Sequence, residues 1–232
     1  SAFIQTEVGS GDDGPGLDAR VIDAYVLYKP CPYGQIYAGE NMAPATRENL
    51  TSSGALMAID RPGMNYKTLT WGTRSLSAFA NNTYADSDAG LRGDVDVRDT
   101  GVTLFGNPSL SDEVHLKYYL GMYDGVETPG TDSERYTARV QVNLFDPEAD
   151  YYNSSTYLGK KKTVGVGASY DMQNDVAEDA DKGMVDYAFY TGDVFVEMPV
   201  GPGAVTFEAA YENLDLGDAT DIDRVLKKGY ND

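Results

Sequence analysis

Between Glu134 and Leu144 apolar and polar residues alternate without interruption. Tyr136, Ala138, Val140, Val142 and Leu144 fall on one face of an extended chain, and Arg135, Thr137, Arg139, Gln141 and Asn143 on the other. A period of two is the pleat of a β-strand. The pattern returns over Glu113–Tyr123, where Val114, Leu116, Tyr118, Leu120 and Met122 oppose His115, Lys117, Tyr119, Gly121 and Tyr123. It returns over Lys162–Asp171, Tyr187–Met198 and Ala204–Glu212, and less sharply over 2–8, Asp18–Lys29, Gln35–Met42 and Arg98–Gly106. About nine strands are therefore expected. Proline and glycine punctuate them at 30–34 and 199–203, with a short polar turn at 107–112.

The connections alternate in length. The turns at 30–34, 107–112 and 199–203 are brief, whereas 43–97, 124–133 and 172–183 are longer and rich in Asp. Phe145–Gly159 is the exception on the short side, and 213–232 reads as a polar loop. A transmembrane barrel has strands of about 9–11 residues, an apolar outer and a polar inner face, short turns at one end and long loops at the other. The expected fold is thus all-β, an antiparallel transmembrane β-barrel forming one domain over 1–232. An odd, unclosed set of strands leaves two bare edges, which lipid does not tolerate. The chain is accordingly expected to be an excerpt whose remaining strands lie beyond one or both ends.

Composition narrows the classes. No run of about 18 apolar residues is present, so no membrane-spanning helix is expected. Tyr, at 18 residues against 7 Phe and 1 Trp, suits strands and interfacial girdles. A formal charge of −19 argues against nucleic acid as a partner. The lone Cys31 excludes an internal disulfide and a cysteine-based metal cluster.

The inward faces of the clean strands carry the candidate chemistry. Pore-lining residues are expected to be His115, Lys117, Arg135, Arg139, Asp193, Glu197, Glu208 and Glu212. Inner-face glycines, Gly165 and Gly167, suit a lining that stays low or a wall that bends. The long loop 43–97 is expected to fold toward the pore, with Arg47, Glu48 and Arg61 at its narrowest part. Catalysis is not expected: a wide aqueous lumen does not split carboxylate pKa values, and no serine stands at a suggestive position beside His115. Asp86–Gly90 and Asp94–Asp96 contain only fragments of a calcium loop. No metal site and no cofactor are expected.

Several short motifs carry a resemblance: Asp23-Ala24-Tyr25-Val26, Ile36-Tyr37-Ala38-Gly39-Glu40 with Pro44 and Thr46-Arg47-Glu48, Ile59-Asp60-Arg61, Arg98-Asp99-Thr100-Gly101-Val102, Tyr119-Leu120-Gly121-Met122-Tyr123-Asp124-Gly125, and Tyr157-Leu158-Gly159-Lys160-Lys161-Lys162. In this order along 17–212 the chain resembles the phosphate-selective porin O and P family of Gram-negative outer membranes. The resemblance implies a barrel of roughly sixteen strands, a homotrimer, an outer-membrane location and a long loop narrowing the pore. The expected function is passive diffusion of small hydrophilic solutes or ions, with outer-membrane lipid as the surrounding partner. The mixed inward charge departs from a basic phosphate filter, so weak cation preference is expected instead. The alternative is a structural barrel that anchors acidic external loops to a partner or to divalent cations.

Overall fold

A computed structural model describes residues 1–10, 17–31, 33–58, 98–125, 133–179 and 182–217. The nine strands are β1 (Ala2–Ser10), β2 (Leu17–Cys31), β3 (Gly34–Met42), β4 (Arg98–Gly106), β5 (Val114–Tyr123), β6 (Arg135–Phe145), β7 (Thr163–Asp179), β8 (Gly183–Val200) and β9 (Gly203–Asp215). They form one antiparallel sheet in sequence order, each strand pairing with its neighbours in the chain. Among the described residues β1 and β9 are its edges and do not pair with each other.

The sheet is inside-out relative to a soluble one. On β6 the apolar Val140, Val142 and Leu144 are 46, 37 and 42 % exposed, while the intervening Arg139, Gln141 and Asn143 are 2, 1 and 1 % exposed. The register carries this division across the sheet. Leu116 pairs with Val142, Val142 with Val166 and Val166 with Val194, all on the outer face. Val205 and Phe207 continue it on β9, and both are exposed. On β6 and β9 the outward apolar run ends, toward the long-connection side, in a tyrosine, Tyr136 and Tyr211, and on β7 and β8 Tyr170 and Tyr190 lie one outward position before its last residues, Met172 and Ala188. All four are exposed, and the Tyr170 and Tyr190 rings lie 5.0 Å apart.

Two expectations about the connections are corrected. Residues 172–183 are not a long acidic loop. β7 runs on to Asp179 and β8 begins at Gly183, so their hairpin is longer than its alternation suggests. A register shift between Gln173 and Ala177, with Asp175 at φ 55°, hides the period of two without ending the pairing. Nor does the polar loop begin at 213, since β9 runs on to Asp215. Phe145–Gly159, the long connection on the short-turn side, is partly buried against the sheet's inner face.

Candidate functional site

Two segments cover the sheet's inner face from opposite ends of the strands. Residues 43–51 descend from the end of β3 on the long-connection side, and residues 146–157 rise from the end of β6 on the short-turn side. They meet in a parallel bridge, Thr51 with Asn153. Three backbone hydrogen bonds stitch them: Asn153 N to Leu50 O (2.8 Å), Ser52 N to Asn153 O (3.2 Å) and Ser155 N to Ala55 O (2.9 Å). The first segment holds its shape locally. Thr46 Oγ1 accepts from Asn49 N at 2.9 Å, Thr51 N donates to Glu48 O at 3.1 Å, and Thr51 Oγ1 donates to Arg47 O at 2.9 Å.

That turn aims Arg47 into the sheet. Its Nη1 and Nη2 donate to Glu148 Oε2 and Oε1 at 2.9 and 2.8 Å, a bidentate pair in which both side chains are fully buried. Nη2 also donates to Ser154 O at 3.0 Å, Nε lies 3.2 Å from Glu208 Oε1, and the guanidinium carbon sits 4.0 Å above the Phe195 ring. Glu148 accepts three more hydrogen bonds, from Gln141 Nε2 (2.7 Å), Asn143 Nδ2 (3.1 Å) and Tyr157 OH (2.6 Å). Burial by itself would raise the Glu148 carboxyl. The charge and hydrogen bonds of Arg47 outweigh it and hold the group well below the usual carboxylate range.

The two inward arginines of β6 are matched in the same manner. Arg139 donates from Nη1 and Nη2 to the two oxygens of Asp193 at 2.6 and 2.9 Å. Arg135 grips Asp171 through Nε and Nη2, both at 2.8 Å, and reaches Asp99 at 3.1 Å. Lys117 has no carboxylate within ion-pair distance among the described residues. It donates to Asn153 Oδ1 at 2.7 Å, 5.7 Å from the centre of the Tyr119 ring. Beside it Tyr37, Leu50, Phe105, Tyr119 and Tyr151 form a buried apolar cluster. Tyr119 OH donates to Tyr151 O and Tyr151 OH to Met42 O, which ties the second inserted segment to the wall at β5 and β3.

The residues expected from sequence have therefore been sorted. Lys117, Arg135, Arg139, Asp193 and Glu197 all point inward and are buried; Glu208 and Glu212 point inward and are half-buried. Arg47 and Glu48 lie on the inserted segment, and Arg61 is outside the described residues. Glu197 is a clamp for the turn after the second insertion. It accepts from Thr156 Oγ1 (3.0 Å), Tyr157 N (2.8 Å), Gly159 N (2.9 Å) and Thr206 Oγ1 (3.1 Å). Replacing Glu197 by Ala should leave those two amides without an acceptor at about 1–3 kcal/mol each. Faster hydrogen exchange at Tyr157 and Gly159 is the readout, and unchanged protection would remove the clamp role.

Gly167 lies under the Arg139–Asp193 pair, and a Cβ there would come within 2.7 Å of Asp193 Oδ1. The glycine makes room for an ion pair, a more specific reason than a low pore lining. His115 does have a serine beside it: Ser109, brought opposite by an isolated antiparallel bridge. His115 Nε2 donates to Phe145 O at 2.7 Å, which leaves Nδ1 to accept from Ser109 Oγ at 2.8 Å. The adjacent amides of Leu110 and Ser111 both donate to Val114 O, so neither is directed at a substrate oxygen. Sequence reading passed over Glu148, Asp171 and Asp99, each of which neutralises an inward arginine. The one usable signal for Glu148 was the unusual length of its connection on the short-turn side. Among the described residues no three His, Cys, Asp or Glu side chains are grouped to hold a metal ion.

Fold and site together define an antiparallel sheet with an apolar exterior and a charge-paired interior, sealed by two inserted segments. No family model, curated protein or solved structure matches the chain.

Proposed function

We propose that this chain is part of the wall of a bacterial outer-membrane channel, a transmembrane β-barrel passing small hydrophilic solutes or ions by passive diffusion with weak cation preference. The observation that carries the reading is the exposed apolar face. Val140, Val142, Leu144, Val166, Val205 and Phe207 lie on one continuous surface, each between 37 and 60 % exposed. Burying such a side chain fully is worth about 1.5–3 kcal/mol, so a surface of this kind calls for an apolar environment. Tyr136, Tyr170, Tyr190 and Tyr211, at or next to the long-connection end of the outward runs of β6 to β9, suit an aromatic girdle at the headgroups. Edges at β1 and β9 call for further strands. A barrel of roughly sixteen strands and a homotrimer follow from the resemblance to phosphate-selective porins. Phosphate selectivity does not, because Arg47, Arg135 and Arg139 are each spoken for by buried carboxylates.

The test is reconstitution of the full-length protein in planar bilayers. Stepwise ohmic currents are expected, and their absence from correctly inserted protein would refute the channel. If the first insertion narrows a conducting path, deletion of residues 50–58 should enlarge the unitary conductance, and an unchanged value would count against that role. One observation favours a second reading, a structural barrel presenting its acidic loops to a partner or to divalent cations. The inner face from β4 to β8 is packed under the two insertions, and such a filled interior also suits a barrel that does not conduct.

A further inference from the structure

Arg47 and Glu48 are adjacent in sequence and have opposite fates. Glu148, Asp193 and Glu208 each lie beside a guanidinium, at 2.8, 2.6 and 3.2 Å. Glu48 makes no salt bridge among the described residues, and its Oε2 is closed off from solvent without a hydrogen-bond donor. Arg139 attracts it but makes no hydrogen bond to it: its Nη atoms are committed to Asp193, Ser169 and Gln141, and its buried Nε has no acceptor. Burial, and then the repulsion of Glu208 and Asp193, raise the Glu48 carboxyl above its ordinary value. Glu48 as a whole is half-buried rather than fully enclosed. A carboxylate oxygen, held in place by the Thr46–Thr51 turn and lacking a donor, is a place for a positive group. Among the described residues no third carboxylate is grouped there to hold a divalent ion, and a single charge suits it.

We propose that Glu48 is the cation-selecting group of the channel: a monovalent cation, an alkali metal ion or the protonated amine of a solute, pairs with its carboxylate in transit. This rests on the channel reading above. It shifts selectivity from the inward arginines of β6, which Asp171, Asp99 and Asp193 neutralise, to one residue of the inserted segment.

The test uses full-length protein in planar bilayers, with reversal potentials measured across a salt gradient, first in potassium chloride and then in methylammonium chloride. Glu48→Gln should lower the cation-to-anion permeability ratio at least about twofold, and Glu48→Asp should keep it. A shift in the potassium arm alone supports a metal ion, in the methylammonium arm alone an amine, and in both a general cation site. Wild-type reversal potentials in both arms from a conducting Glu48→Gln channel would overturn the proposal and leave the channel standing. Conductance of the unmodified protein decides the matter even if that variant does not fold: it should saturate as potassium chloride is raised, and a linear rise overturns the site. A wild-type protein that does not conduct at all defeats the channel reading itself, and this inference with it.

Discussion

Replacing Glu148 by Gln should destabilise the folded protein by about 3–5 kcal/mol, because the Arg47 guanidinium would stay buried without its bidentate partner. Denaturant unfolding of the full-length protein in lipid vesicles measures it. Arg47→Met should cost a similar amount, and the double variant much less than the sum, since both remove one interaction. Costs that simply add would mean that the pair is not coupled. The same pair predicts a pH dependence. The folded pKa of Glu148 lies below its unfolded value of about 4.3, so its contribution is complete above that pH. It is lost as the pH falls further, because the unfolded state then takes up a proton that the folded state refuses. Wild-type stability should decline as the pH drops below about 4, and this part of the decline should vanish in Glu148→Gln.

Val142→Arg should separate a membrane wall from a soluble sheet more sharply than any other single change. Val142 faces outward in the middle of an apolar run, flanked across the sheet by Leu116 and Val166. In a bilayer an arginine near the midplane costs about 2–4 kcal/mol. On the water-facing side of a soluble sheet the same exposed replacement would change stability by no more than about 0.5 kcal/mol. Unfolding from lipid vesicles should therefore show the large value, with Val142→Leu close to wild type as the control. An arginine variant as stable as wild type would sink the membrane reading.

The outer face was legible in the sequence because alternation is a local property. Val140, Val142, Leu144, Val166 and Phe207 needed no knowledge of their neighbours to be placed, only the period of two. The inner face was half legible. Its polar members could be named, but whether Arg139 meets water or Asp193 depends on the register of β6, β7 and β8 taken together, which no single strand encodes. Glu197 looked like one member of an acidic lining, yet its partners come from a turn some 40 residues earlier. The β7–β8 hairpin was read too short because one bulge at Asp175 breaks the periodicity that the reading relied on. His115 and Ser109 were separated by a turn whose geometry alone decides that they touch.

The stitch between the inserted segments bears on the order in which the molecule assembles. Every strand pairs with its sequence neighbour, so the sheet can grow hairpin by hairpin, with the connection from β3 to β4 the longest loop to close between described strands. Arg47 and Glu148, by contrast, are 101 residues apart, and the surface that receives them is built from β5 to β8. They can come together only after those strands are laid down, at the late end of folding, where the entropy of a long closure is finally met by contacts. Until then Arg135, Arg139, Lys117 and Asp193 remain hydrated, and the growing sheet is a polar trough. A bond made after the rate-limiting step leaves the rate of folding almost untouched and slows the rate of escape. The latch is thus a fastener on the native state, and what it sets is how long the assembled wall endures.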